Sequence, residues 1–413
     1  MEMKKILSEE LGRIILSQSD FLRYEKVARD FIGLLEGVGI GSFIGGSFAK
    51  GTFVKKDGPQ DVDIFVVFDS KSEINELGDI LANLKLPGEL KKVHGSRDYF
   101  KVDCGDVILE VIPVMKNLDP DKAENVTDVS LSHVGYIRTE IKKNPKIANE
   151  IRIAKSFCEA QNCYGAESYI RGFSGYSLEV LVIYFGGFVK FLKGIEKNRV
   201  VDPAKFFKNK NEIMRELNSS KLQGPLVLVD PTFKNRNACA GLGQETFDRF
   251  LVVSKEFLKN PSSSFFIKKG VNVDFLKEFA KKDGSKFVEV SLSTDKQEGD
   301  IAGTKMKKFL DFFASEIMRN QQKVLEKEFS YSGKGQEAKG YLVVCEEKEI
   351  EVRGPSVLLI DAVKKFKKAK GVKNVFEKEG YFWFKEKVSI KGIFKEVRKV
   401  CDEMGVGGEI LVG

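Results

Sequence analysis

The tripeptide Asp61-Val62-Asp63, running straight into Ile64-Phe65-Val66-Val67-Phe68, constrains this chain more than any other segment. Successive side chains of an extended strand point to opposite faces, so Asp61 and Asp63 leave the same face at the strand's N-terminal end. The apolar run behind them reads as a strand buried inside a sheet, with two anions at its edge. A solvated strand terminus tolerates such a pair, and a divalent cation uses it. A third acid, Glu110, interrupts a second run of the same kind, Val107-Ile108-Leu109-Glu110-Val111-Ile112-Pro113-Val114. Asp61, Asp63 and Glu110 together could hold two magnesium ions about 4 Å apart, which activates an attacking hydroxyl and stabilises a leaving pyrophosphate.

The preceding segment, Ser42-Phe43-Ile44-Gly45-Gly46-Ser47-Phe48-Ala49-Lys50-Gly51-Thr52, reads as a strand, glycines, a serine and a short helical stretch. Glycines let backbone approach a phosphate, and the Ser47 hydroxyl with helix-terminal N–H groups can bond its oxygens. It is no Walker loop, because no Gly-Lys-Ser/Thr follows at the required spacing. Gly46-Ser47, then Asp61-x-Asp63, then an acid on a later strand, is the signature of the polymerase-beta-like nucleotidyltransferases. Tyr164-Gly165-Ala166-Glu167, Arg171-Gly172-Phe173-Ser174-Gly175-Tyr176, Asp230-Pro231 and Lys234-Asn235-Arg236-Asn237 follow in that order. With these blocks the chain resembles the archaeal-type (class I) CCA-adding enzymes, which are tRNA nucleotidyltransferases. The likeness is dense from about residue 40 to 260 and thinner beyond, where Arg353-Gly354-Pro355 matches the start of the family's tail domain.

The resemblance implies template-independent addition of CCA to the 3′ end of tRNA from CTP and ATP, with release of pyrophosphate, in tRNA processing and RNA repair. It makes Asp61, Asp63 and Glu110 the catalytic ligands of two Mg2+ ions, with Glu110 also able to accept the proton of the attacking hydroxyl. Gly46, Ser47 and Lys50 correspond to nucleotide-binding positions, as do Ser130 and His133 in Asp128-Val129-Ser130-Leu131-Ser132-His133. Lys155 and Tyr164 correspond to further triphosphate contacts, and Arg236 to a contact with the base, where a planar guanidinium serves an acceptor-rich edge. The family's usual residues are aspartate at the Glu110 position, often glutamate at the Asp61 position, and threonine at the Ser130 position. The implied partners are the acceptor stem and 3′ end of tRNA, ATP and CTP, with no membrane; a homodimer is compatible with this reading. A poly(A) polymerase shares the Gly-Ser and paired-acid motifs, but the Tyr164–Glu167 and Arg171–Tyr176 blocks favour CCA addition. A non-catalytic RNA-binding protein on a transferase scaffold would have no need of the three acids.

The fold expected is a multidomain α+β chain: a small mixed-sheet nucleotidyltransferase head over 1–140, a helical central domain over 141–260, and an α/β C-terminal body and tail over 261–413. The first 40 residues read as a helical cover on the sheet, with Leu11, Ile14, Ile15, Phe21, Val27, Phe31 and Leu34 in one stripe. Strands are expected near 42–45, 61–68, 98–103 and 107–114, with a helix at 72–84. Ile147, Ile151, Ile153, Ala154 and Phe157 mark one helix and 177–192 a second, while 196–222 reads as an exposed excursion and 234–237 as a turn. Asn260-Pro261-Ser262-Ser263-Ser264 is the strongest linker signal. Beyond it, strands near 287–292, 325–333 and 339–346 surround a helix at 303–319. A last helix carries Lys364, Lys365, Lys367, Lys368 and Lys370, ahead of the aromatic strand Tyr381-Phe382-Trp383-Phe384. Such a helix is either a solvated face or an RNA-binding surface on which the aromatics stack bases.

Lysine and arginine number 68 against 60 acids, a net charge of +8, which excludes a histone-like binder but suits a polyanionic partner if clustered. The six cysteines form no Cys-x-x-Cys pair and only His94 and His133 accompany them, so they read as core residues rather than zinc ligands. Acids at Glu9 and Glu10 argue against a signal peptide, and no uninterrupted apolar stretch matches a membrane helix. A cytoplasmic protein is expected.

Overall fold

The computed structural model describes residues 2–95, 97–116, 126–347 and 349–413, apart from the side chains of Val126, Thr127, Val400, Cys401 and Asp402. The reading of Cys401 as a core residue therefore lies outside the described residues. The chain divides into two compact units, Met1–Lys268 and Lys269–Gly413.

The first unit opens with helices α1 (Glu2–Ile14) and α2 (Gln18–Glu36). A sheet follows, built from β1 (Ser42–Ile44), β2 (Gln60–Phe68), β3 (Glu89–Val93), β4 (Tyr99–Asp103) and β5 (Val107–Met115), with α3 (Gly46–Lys50) and α4 (Lys71–Ala82) between strands. Its order is β1-β2-β5-β4-β3, with only β2 and β5 parallel. Val62, Ile64 and Val66 of β2 pack with Phe31 and Leu35 of α2 and Leu77 and Leu81 of α4. Strand alternation then puts Asp61 and Asp63 on the opposite face. The β2–β5 register aligns Asp63 with Glu110, so all three acids share that face.

The remainder of this unit comprises α5 (Ser130–Lys143), α6 (Ile147–Ala160), α7 (Gly175–Phe185), α8 (Phe188–Gly194), β6 (Val200–Val201), α9 (Lys210–Glu216), β7 (Val227–Asp230), β8 (Phe233–Asn237) and α10 (Gln244–Lys259). Its core is aromatic: Phe157, Phe173, Phe188, Phe191, Phe250 and Phe257 are fully buried. T-shaped and tilted ring contacts, such as Phe173–Phe250 at 4.9 Å, run through it.

Four expectations need correcting here. The first 40 residues are two helices, because Ser17 caps α2 by accepting from the Asp20 amide; only α2 covers the sheet, while Ile6 of α1 joins the aromatic core. The run 177–192 is broken at Gly186 (φ +75°) and Gly187 (φ +129°), and α7 and α8 meet at an 89° bend. Residues 196–222 are not wholly exposed, since Ile213 and Leu217 pack on Val227 and Val229. Arg236 sits in strand β8, not in a turn. Cys158, Cys163 and Cys239 are buried, and Cys104 and Cys345 partly so. Among the described residues no single helix is long and apolar enough to cross a membrane.

The second unit contains α11 (Val273–Asp283), β9 (Lys286–Ser293), α12 (Gly299–Arg319), β10 (Lys323–Tyr331), β11 (Glu337–Cys345), β12 (Glu349–Ser356), α13 (Ile360–Lys370), β13 (Val375–Lys378), β14 (Tyr381–Lys387), α14 (Ile390–Met404) and β15 (Gly407–Val412). An antiparallel sheet of order β10-β11-β9-β15 is covered by α12 and α14, with Leu276 and Ala280 of α11 packing on Phe287 and Tyr341. The lysine-rich α13 is therefore not the last helix. It packs instead on a small sheet, β12-β14-β13, where Gly354 leaves room for the Phe366 ring.

The aromatic strand β14 differs from expectation in one respect: its rings already carry cations. Lys367 Nζ lies 4.1 Å from the Phe382 ring centre, Lys370 Nζ 4.1 Å from Phe384, and the Arg353 guanidinium 3.3 Å from Tyr381. Lys364, Lys365 and Lys368 remain exposed. If α13 is the expected RNA-binding surface rather than a solvated face, replacing Lys364, Lys365, Lys367 and Lys368 together by alanine weakens binding of the tRNA that the resemblance implies and flattens its salt dependence, because fewer phosphates lose their counterions. Titrations of labelled tRNA at several salt concentrations measure this. An unaltered dissociation constant throughout would make α13 a solvated face only.

Candidate active site

Gly45 and Gly46 bring the start of α3 against β2. The Gly45 amide donates to the Asp63 carbonyl at 2.8 Å. A Cβ on Gly45 would meet the Phe65 ring at 2.0 Å, and one on Gly46, at φ +54°, would lie 1.5 Å from Asp63 Oδ2. No side chain fits there, so the glycines exist to let the Gly46-Ser47 backbone touch the Asp63 carboxylate.

Asp61, Asp63 and Glu110 are all partly buried. Lys56 Nζ donates to Asp61 Oδ2 at 3.0 Å, and Lys101 Nζ to Glu110 Oε1 at 2.7 Å. Asp63 has no such lysine partner among the described residues: burial, then the Glu110 charge and that of Asp61, push its carboxyl up to about 7, against the opposing pull of Lys50 and Lys56. Among the described residues no three His, Cys, Asp or Glu side chains are gathered as a ready-made cation cage. The donor set nevertheless suits a divalent cation, since three carboxylates share one sheet face and the charges of Glu110 and Asp61 help to raise the proton affinity of Asp63.

Beside this face lies a cavity of about 680 Å³, a volume suited to a nucleotide. Gly46, Lys50, Ser130, His133, Tyr176 and Arg236 line it. Six of the eleven residues expected at the site thus fall in two groups: Gly46, Lys50, Ser130, His133 and Arg236 at the cavity, with Asp63 against Gly46. Ser47 is half-buried in α3, one residue from the wall.

Lys155 is placed differently. Its ammonium is buried, donating to Glu179 Oε1 at 2.7 Å, to the Thr52 hydroxyl at 3.1 Å and to the Thr52 carbonyl at 3.2 Å. Lys50 Nζ donates to the other oxygen of Glu179 at 2.6 Å, and the Thr52 hydroxyl to Oε1 at 2.5 Å. Burial opposes the Glu179 charge, but Lys155 and Lys50 outweigh it and hold the carboxyl at about 2. Tyr164 is also outside the cavity wall: its hydroxyl lies against the start of α7, where a Cβ on Gly175 would come within 2.9 Å of it. Burial, first of all, drives its phenol far up.

At the far wall, Asp230 gathers five hydrogen bonds while fully buried. Oδ2 accepts from Arg236 Nη1 at 2.5 Å and from His133 Nε2 at 3.1 Å. Oδ1 accepts from the Tyr176 hydroxyl at 2.9 Å and from the Thr232 amide and hydroxyl, each at 2.8 Å. Burial opposes its ionisation, yet the His133 bond, Arg236 and the Thr232 amide hold it well below the usual carboxylate range. The His133 ring stacks on Tyr176 at 3.7 Å, and burial lowers its pKa despite Asp230. A neutral ring that donates from Nε2 satisfies this geometry.

Asp230, Tyr176, Glu179 and Thr52 were not expected at the site. Asp230 and Tyr176 stand inside blocks that the sequence does mark, and Thr52 ends the glycine segment. Glu179 did carry a local signal, as the one acid in the apolar run of α7, but nothing in the sequence showed which cations it faces.

The family model for the second domain of tRNA nucleotidyltransferases matches residues 149–267, ending where the first compact unit ends. The CCA-adding enzyme of Nanoarchaeum equitans is 32% identical over 311 residues, spanning 74% of this chain and 73% of its own. That of Thermococcus kodakarensis is 29% identical over 350 residues, 79% of this chain and 74% of its own. Among solved structures, a cytoplasmic RNA terminal U-transferase superposes with a TM-score of 0.51 at 13% identity, over 65% of this chain and 99% of the other. The Cid1 poly(U) polymerase superposes equally well over the same shares, and at this identity both bear on the fold alone. Motif order, sheet register and sequence identity over three quarters of the chain agree: it belongs to the family of CCA-adding enzymes.

Proposed function

We propose that this protein adds CCA to the 3′ end of tRNA, using CTP and ATP and releasing pyrophosphate. The observation that carries the chemistry is the alignment of Asp63 with Glu110 across β2 and β5, beside Asp61 and against the Gly46 backbone. These three carboxylates would hold magnesium, two ions in our reading, and the bound cation would lower the pKa of the RNA 3′-hydroxyl and neutralise charge building on the triphosphate. The work left to the protein is positioning and electrostatics.

The Gly46-Ser47 backbone and hydroxyl and Lys50 meet the phosphates, with Ser130 on the facing wall. Lys155 and Tyr164 act from behind the wall in this arrangement: Lys155 shares Glu179 with Lys50, so their joint charge favours an anion in the cavity. In this reading the head over 1–140 supplies the acids and the phosphate contacts, residues 141–260 the opposite cavity wall with Tyr176 and Arg236, and 261–413 a surface for the tRNA acceptor stem. Adding labelled CTP or ATP to tRNA lacking its 3′ end, and sizing the products, tests the whole reading. Products longer than the CCA end, or none, would reject it.

Arg236 would read the base. A guanidinium only donates, so it suits N3 of cytosine and N1 of adenine, which accept; uracil N3–H and guanine N1–H are donors. Arg236→Ala is expected to slow addition and raise UTP and GTP incorporation, with tRNA binding kept, since a lost edge bond costs on the order of 0.5–3 kcal/mol. Wild-type rate and selectivity would move the base pocket elsewhere.

A further inference from the structure

Arg236 is only 22% exposed, yet its hydrogen bonds are confined to one nitrogen. Nη1 points at Asp230 Oδ2, with His133 Nε2 a longer 3.4 Å away. Nε and Nη2 make no hydrogen bond among the described residues, and the side chain borders the cavity. Asp230 itself is fully buried behind the wall. A nucleotide in the cavity meets Arg236, His133 and Tyr176 but not the carboxylate that holds two of them directly and the third by its hydroxyl.

We propose that Asp230 is the positioning residue for base selection: it fixes the guanidinium by Nη1 so that the remaining donors present one edge to the base. The inference rests on Arg236 being the base reader. Its physical content is the difference between a mobile and a fixed donor array. An arginine free to rotate finds an acceptor on any base, including O4 of uracil or O6 of guanine, and so discriminates little. Held at one nitrogen, it meets whatever atom the base places opposite its free edge, and a donor there leaves two buried N–H groups facing each other.

The rest of the cluster serves the same end. Asp230 cannot turn, because Tyr176 and Thr232 occupy Oδ1 from two directions. Tyr176 also lies beneath the guanidinium, 6.0 Å from ring centre to Cζ, and against the His133 ring. His133 fills the second position on Oδ2, so the guanidinium cannot slide along the carboxylate into a two-nitrogen grip that would withdraw Nη2 from the cavity. The charge carries the hold: an asparagine has a single acceptor oxygen, which the Tyr176 and Thr232 donors on the Oδ1 side claim, leaving its NH2 to face a guanidinium that cannot accept.

The test compares kcat/KM for CTP and UTP on tRNA lacking its CCA end, for wild type, Asp230→Asn, Arg236→Ala and the double variant. Asp230→Asn is expected to lower the CTP preference about tenfold, the scale of one charge-assisted hydrogen bond. The double variant should show the preference of Arg236→Ala alone, because Asp230 acts through Arg236. Additive losses, or an Asp230→Asn enzyme with wild-type preference beside an Arg236→Ala enzyme that has lost it, overturn the positioning role and leave the base reader standing. An unchanged preference in Arg236→Ala instead removes the base-reading premise. Should Asp230→Asn fail to fold, Asp230→Glu keeps the charge and displaces the guanidinium by one methylene; it is expected to lower the preference in the same direction, and wild-type preference there overturns the proposal.

Discussion

Asp63→Asn should abolish nucleotide addition, by on the order of a thousandfold or more, while binding tRNA as the wild type does. The amide keeps the shape that Gly46 accommodates and removes one of three charges at the shared face. The same substitution should raise the thermal unfolding midpoint in EDTA at pH 8. Asp63 is partly buried beside Glu110 and Asp61 with its carboxyl pushed up to about 7, so ionising it in the folded protein costs free energy that an amide does not. Because the folded pKa is raised from 3.8 to about 7, that cost is absent below about 3.8, grows as pH climbs between these two values and is fully present, and constant, above about 7. Loss of activity with a gain in stability separates a charge kept for chemistry from one kept for structure. Residual turnover near the wild-type rate would dismiss the assignment of Asp63 as a cation ligand.

That site was legible because its chemistry interrupts a strong pattern. Strands β2 and β5 are central, so their apolar runs are long, and acids within them stand out. Strand β3 left no such trace: at the sheet edge, Glu89-Leu90-Lys91-Lys92-Val93 buries little and reads as polar. Helix α14 was readable and passed over, for Ile390, Ile393, Phe394 and Val397 recur at helical spacing beneath a surface of lysines and glutamates. The error over α1 is of another kind. Periodicity shows that a helix has an apolar face, not which core receives it, and α1 gives Ile6 to the aromatic core rather than to the sheet. The break at Gly186-Gly187 was a local signal that a strongly apolar run obscured.

Partner identity is what sequence order could least supply. Lys155 as a phosphate ligand and Arg236 as a base reader came from the resemblance, which names the donor and not the group that holds it. In the fold each is first a partner of a buried carboxylate, Glu179 or Asp230, from a different element. Glu179, 24 residues from Lys155, gives no spacing to recognise, whereas Asp230 is only six residues from Arg236 and inside a marked block, so what the sequence hid there was the pairing and not the position.

Glu179 provides the second large effect. Two ammonium groups, on Lys50 and Lys155, are 9% and 5% exposed and face one carboxylate that is fully buried. Glu179→Gln keeps the volume and takes away the charge that both lysines share, and breaking a buried pair by removing one partner costs about 3–5 kcal/mol. Chemical denaturation at pH 7 should show a loss of that order. The pH dependence fixes the cause. Glu179 has its folded pKa lowered from 4.5 to about 2, so its contribution is whole above about 4.5 and disappears as pH falls through that window towards about 2. Wild type and Glu179→Gln should therefore converge in stability as pH falls across this range, whatever other carboxylates lose, because those are common to both. Adding Lys50→Met to Glu179→Gln should recover part of the loss at pH 7, since one buried ammonium then lacks a counter-charge instead of two. A gap between the two proteins that stays constant from pH 7 to the acid limb would mean that Glu179 stabilises by shape and hydrogen bonding rather than by charge, and would leave the paired lysines without an electrostatic reason to be there.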